Sequence, residues 1–133
     1  MSAAHEWLKY ARDDITTAKV ILPEGLFNVV CFHSQQAVEK SLKAFLREFQ
    51  GKVPYIHILE ELCSQCEEID PSFAQFRDDC KFLDVFYQPT RYPEAPVGGL
   101  PEGMPTVEQA EQALEKAELI FDFVCKKIGT ETS

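Results

Sequence analysis

Two groups of side chains in this chain have the types and spacing to hold a phosphate or a planar ring. The first is Tyr87-Gln88-Pro89-Thr90-Arg91-Tyr92-Pro93-Glu94, where Arg91 stands between two prolines and two tyrosines. Proline stiffens the backbone, so Arg91 has little conformational freedom to lose on binding. Guanidinium is the side chain best matched to bidentate contact with phosphate or carboxylate. Tyr87 and Tyr92 could stack on a base or on the guanidinium. The same spacing also suits a structural arginine that pins the loop to an acid or to a helix C-terminus.

The second group lies between Cys31 and Phe49. At about 100° per residue, Cys31, Val38, Leu42, Phe45 and Phe49 share one side of a helix, and His33, Gln36, Lys40, Lys43 and Arg47 share the other. The first side suits a core. The second can lie in solvent, meet a partner helix or receive an anion. Glu39 precedes Lys43 by four residues, the stabilising order for an exposed pair, which fits a solvated surface. Ala37 and Ala44 are small enough for another backbone to approach closely. His57, just after the Pro54 turn, suits a cap for a short helix or a bond to a loop.

Other chemistry finds little support. No G-x-x-x-x-G-K-[ST], G-x-G-x-x-G or H-E-x-x-H is present. Cys63-Ser64-Gln65-Cys66 is formally C-x-x-C, and His57 with Cys80 could complete four ligands. However, Cys63 and Cys66 flank Leu59, Leu62 and Ile69 at helical spacing, where free cysteine behaves as a small buried apolar residue. Five cysteines, an odd number with no secretory signal, indicate reduced thiols. No metal is expected.

The elements that must position these groups are helical. Trp7, Leu8, Ala11, Ile15, Ala18 and Leu22 form one stripe over about residues 4–22, which Pro23-Glu24-Gly25 ends. A second helix runs from about Leu26 to Gln50 and stops at Gly51. A short third covers about 57–68. Asp70-Pro71 supplies an N-cap and first-turn proline for a fourth over about 71–87. There Phe73, Phe76, Cys80, Leu83 and Tyr87 make one apolar side, and Phe82, Val85 and Phe86 a second, which suggests a subunit interface or cover from a loop. Gln88 to Pro105 is rich in proline and glycine and cannot be helix or sheet. Thr106 then caps a last helix through about Ile128, with residues 129–133 frayed.

The expected fold is thus all-α, an up-and-down bundle of four main helices and a short one, with a long Pro/Gly-rich loop before the last. At 133 residues, 45% hydrophobic and 26% charged, it forms a single domain over 1–133. No apolar run approaches about 18 residues, so no membrane span is expected, and the cytoplasm is the expected compartment. The net charge of −9, from 22 acids and 13 bases, argues against a DNA- or RNA-binding surface.

Taken in order, these residues resemble the HEPN domain family (higher eukaryotes and prokaryotes nucleotide-binding). The similarity rests on Trp7-Leu8 with Ala11, Asp14 and Ala18, on His33-Ser34-Gln35-Gln36-Ala37-Val38-Glu39-Lys40-Ser41-Leu42-Lys43-Ala44, on His57-Ile58-Leu59 with Leu62, and on Tyr87 with Thr90-Arg91-Tyr92-Pro93-Glu94. The resemblance implies a bundle that forms a homodimer, often paired with a minimal nucleotidyltransferase in a toxin–antitoxin-type system. It also implies nucleotide binding, with ATP a candidate ligand. Here Arg91 would contact phosphate with Lys40 and Lys43, His33 and Gln36 would supply hydrogen bonds, and Tyr92 a stacking face. Many relatives are metal-independent ribonucleases whose motif is Arg followed, after four to six intervening residues, by His. No His follows Arg91 at that distance, and a cleaving site needs a general base. The expectation is therefore a non-catalytic binding module, not an enzyme. A metal-independent ribonuclease and a purely structural oligomerisation subunit joined through Phe82, Val85 and Phe86 are the alternatives.

Overall fold

The computed structural model describes residues 2–87 and 104–129. It is an all-α bundle of five helices: α1 (Ala3–Ile21), α2 (Phe27–Gln50), α3 (Leu59–Ile69), α4 (Arg77–Asp84) and α5 (Val107–Ile128). The element order is the one that apolar periodicity predicts. α2 is the spine, packing on α1, α5 and α3. α1 and α2 run antiparallel. Trp7 near the start of α1 lies by Lys43, whereas Asp14, two turns on, meets the earlier Lys40 and His33. α5 is antiparallel to α1 by the same reasoning, with Lys19 paired to Glu118 at 2.8 Å and the Arg12 guanidinium over the Phe121 ring.

The ends of the helices follow from local chemistry. Ser2 caps α1 by accepting from the His5 N–H. Gly51 ends α2 at φ 86°, a left-handed conformation; no neighbour would crowd a side chain there, so glycine answers to the backbone. Thr106 and Gln109 close a full capping box on α5. The α3 N-terminus is not capped by His57. Asp84, twenty-five residues downstream of Leu59, accepts from the Leu59 and Glu60 N–H groups at 2.7 and 3.0 Å.

The segment expected as one helix over 71–87 is instead a 3-10 helix, Pro71–Phe76, followed by the shorter α4. At three residues per turn, side chains three apart eclipse, so Phe73 and Phe76 both point inward and are essentially fully buried. Phe73 meets Phe45 and Phe123 with ring centroids 4.5 and 5.2 Å apart, and Phe76 meets Phe123 at 4.9 Å. After α4 the chain turns, with the Phe86 N–H on the Leu83 carbonyl. That change of phase buries Phe86 in this chain's own core, which takes it out of the interface expected from helical spacing. Phe82 and Val85 are half-buried against the same core, and the Lys116 ammonium lies over the Phe82 ring at 5.4 Å.

Asp70 caps the 3-10 helix through the Ser72 N–H at 3.0 Å and the Ser72 hydroxyl at 2.6 Å, and pairs with Lys127 at 2.9 Å. The Ser72 hydroxyl, then Lys127 and the Ser72 N–H, hold its carboxyl down at about 2, against an ordinary 3.8. A carboxyl depressed in the folded state stabilises above its unfolded value and loses that contribution as pH falls through the folded one. Protonation of Asp70 should therefore destabilise the fold between about pH 4 and pH 2, and Asp70→Asn should flatten acid-unfolding curves in that window. Identical curves would remove this role.

Candidate functional site

The candidate site is the α1–α2 seam and its continuation to His57 and Tyr87. Asp14 sits on the inward side of α1, among Leu8, Ala11, Ile15 and Ala18, and is 8% exposed. An acid on a buried stripe needs partners from the facing helix. α2 supplies two: Lys40 donates to Oδ2 at 2.5 Å and His33 Nδ1 lies 2.8 Å from Oδ1. Lys40 and His33 are seven residues apart, two turns, so they reach the same carboxylate from one face. Facing a carboxylate, Nδ1 of His33 carries the proton and donates.

A second cluster lies further along. Glu39 is 6% exposed and Lys43 5%. Lys43 donates to Glu39 Oε2 at 2.9 Å, and His57 Nδ1 lies 3.0 Å from the same oxygen, while Oε1 finds no partner. The Glu39–Lys43 order predicts an ion pair, and the pair forms, but buried rather than exposed. The Lys43 ammonium also lies 5.8 Å from the centre of the Trp7 ring. The His57 side chain is half-exposed and stacks on Tyr87, with planes 12° apart and centroids 5.8 Å apart. Gln35 donates to the His57 carbonyl at 3.4 Å, and Gln36 donates to Gln35 at 2.7 Å.

The polar column of α2 is therefore not an outward phosphate cradle. His33 and Lys40 are committed to Asp14, Lys43 to Glu39, and Gln36 to Gln35; the Arg47 guanidinium donates to the Gly51 carbonyl. The structure brings together four of the expected ligands, His33, Gln36, Lys40 and Lys43, but turns their charge and hydrogen bonds toward the protein. Arg91 and Tyr92 lie outside the described residues. Asp14 is the partner that reasoning on α2 alone does not find. Its signal is the acid at a position of α1 that helical spacing assigns to the core.

The cysteines are buried. The Cys63 thiol donates to the Phe73 carbonyl and the Cys66 thiol to the Leu42 carbonyl. Burial pushes the Cys31 thiol up to about 12 and the Cys66 thiol up as well, so these stay protonated and unreactive at neutral pH. Among the described residues no group of three or more His, Cys, Asp or Glu is arranged to hold a metal, and no helix is long and apolar enough to cross a membrane.

The family model for the HEPN domain matches residues 4–128, and the chain belongs to that family. Its fold matches the crystal structure of TT1696 from Thermus thermophilus, with TM-score 0.81 and 35% identity, covering 96% of this chain and 99% of that one. It also matches the crystal structure of ST0689, an archaeal HEPN homologue, with TM-score 0.75 and 30% identity over the same shares. Among curated sequences it is 30% identical to a protein of Methanocaldococcus jannaschii named "Putative toxin MJ1304", over 92% of this chain and 89% of that one.

Proposed function

We propose that this chain is the HEPN component of a toxin–antitoxin-type pair. The observation that carries the reading is its likeness, along nearly the whole of both chains, to the Methanocaldococcus jannaschii protein named "Putative toxin MJ1304". The partner class that the family resemblance implies is a minimal nucleotidyltransferase, with the HEPN chain as a homodimer. Arg91 and Tyr92 are the proposed contacts for a nucleotide such as ATP; Lys40, Lys43, His33 and Gln36, committed as they are within the seam, hold the face in shape. Tagged protein isolated from its native host should carry a small nucleotidyltransferase in a fixed stoichiometry. Recovery of the chain alone would remove the pairing. Calorimetry with ATP should give heat that Arg91→Ala abolishes while helicity is kept, and no heat at millimolar ATP would remove the nucleotide.

A toxin needs a damaging activity, and one observation favours RNA cleavage as that activity. The motif lacks a His after Arg91, yet His57 is fixed by a buried carboxylate and stacked on Tyr87, four residues before Arg91 in sequence. With Nδ1 tied to Glu39, the remaining basic atom is Nε2, the form a general base requires. In that role Nε2 takes the proton of a ribose 2′-hydroxyl, the 2′-oxygen attacks phosphorus, and the 5′-oxygen leaves and takes a proton from water. Structured RNA incubated with the protein in EDTA distinguishes the two modes of action. Cleavage lost in both His57→Ala and Arg91→Ala supports the ribonuclease; intact RNA supports action by binding.

A further inference from the structure

Ala3, Glu6, Trp7 and Tyr10 follow the i, i+3, i+4, i+7 spacing of one helix face, and with Lys40 of α2 they line an open cleft of about 500 Å³. Trp7 also borders a second cleft of about 260 Å³ with Lys43, Val53, Pro54 and Tyr55. Tyr10 is 56% exposed and Tyr55 99%. Trp7 is half-buried, its ring packed against the core, and a Trp held in this way beside an exposed Tyr is the kind of residue that anchors protein interfaces.

Charge selects the occupant. Lys40 is neutralised by Asp14 and Lys43 by Glu39, so Glu6 leaves the larger cleft negative, and Asp13, also exposed, lies one turn beyond Tyr10. The chain as a whole carries −9. Among the described residues that line this cleft, a phosphate would meet no uncommitted cation. A second copy docking the same face about a two-fold axis would bring these acids against their own counterparts. A guanidinium answers both features, since it stacks on Trp and Tyr faces and pairs with carboxylates through a planar fork.

We propose that the Trp7–Tyr10 face of α1 is the docking surface for an arginine-bearing basic segment of a partner protein. The inference rests on the reading that the chain works with a partner, and it names the surface and its chemistry. Trp7 is the single tryptophan, so its emission reports the cleft directly. The probe is a short capped peptide of alternating arginine and leucine, added to the intact protein. A saturable change in Trp7 emission is expected, with affinity falling about tenfold when both carboxylates are removed in Glu6→Gln/Asp13→Asn. The same peptide with glutamate in place of arginine should give none. Both substitutions are on exposed positions, and circular dichroism checks that the helices persist. No saturable response, an equal response to the glutamate peptide, unchanged affinity in the double variant, or saturation by adenosine instead would each overturn the proposal. A chain that carries a nucleotidyltransferase from its host yet ignores the arginine peptide keeps the pairing and loses this surface.

Discussion

Glu39→Ala should destabilise the fold by about 3–5 kcal/mol, the loss expected when one member of a buried ion pair is removed. Lys43 is 5% exposed and Glu39 supplies its carboxylate at 2.9 Å. Without Glu39 the contact left to the ammonium among the described residues is the Trp7 face, 5.8 Å away, which is worth roughly 0.5–2 kcal/mol. The His57 ring loses its anchor as well. Against a total stability of about 5–15 kcal/mol for a domain of this kind, such a loss lowers the chemical-denaturation midpoint sharply. The control is Glu39→Ala combined with Lys43→Met, which removes both charges and fills the space with an apolar side chain. Replacement of a buried pair by packed apolar groups is often neutral or stabilising, so the double variant should recover most of the loss. A single variant as stable as the parent would mean that Lys43 reaches solvent.

Phe73→Ala should cost a similar amount, about 3–5 kcal/mol, for a different reason. Its ring is fully buried and touches Phe45, Phe76 and Phe123, joining α2, the 3-10 helix and α5. Deletion removes the transfer energy of the ring and leaves a void that three other aromatic rings cannot collapse to fill. Thermal unfolding should fall by on the order of 10 °C, with the helix content of the folded state unchanged. Phe73→Leu, which keeps most of the volume, should cost well under half as much. A loss below about 1 kcal/mol for Phe73→Ala, well under the usual cost of emptying an aromatic core site, would show that the segment 71–76 is not part of the core.

The helical periods made the bundle legible: the stripes of α1 and α2 are the ones that pack, save Phe49 in the last turn of α2, which is 49% exposed, and Thr106, Asp70 and Gly51 end or begin helices as their types predict. Two features escaped. The first is the split of residues 71–87, because a Phe-x-x-Phe spacing satisfies both the 3.6 and the 3.0 period and does not choose between them. With it went the placement of Phe86, whose direction changes once α4 stops at Asp84. The second is the fate of the polar column on α2. Helical geometry places His33, Gln36, Lys40 and Lys43 on one side, but whether that side meets water or carboxylates depends on α1 and on Glu39's own burial. One helix read alone does not contain that information. Asp14, a charge on an apolar stripe, was its only local trace.

Asp14 and Glu39 neutralise the α2 lysines from within the bundle, and the proposed function is that of a toxin held in check by a partner protein. Inducible expression of the chain in a test host, alone and together with the proposed nucleotidyltransferase partner, tests this most directly. Growth should stop when the chain is expressed alone and resume when the partner is supplied. Undiminished growth with the folded chain at high level, or arrest that the partner does not relieve, would contradict it.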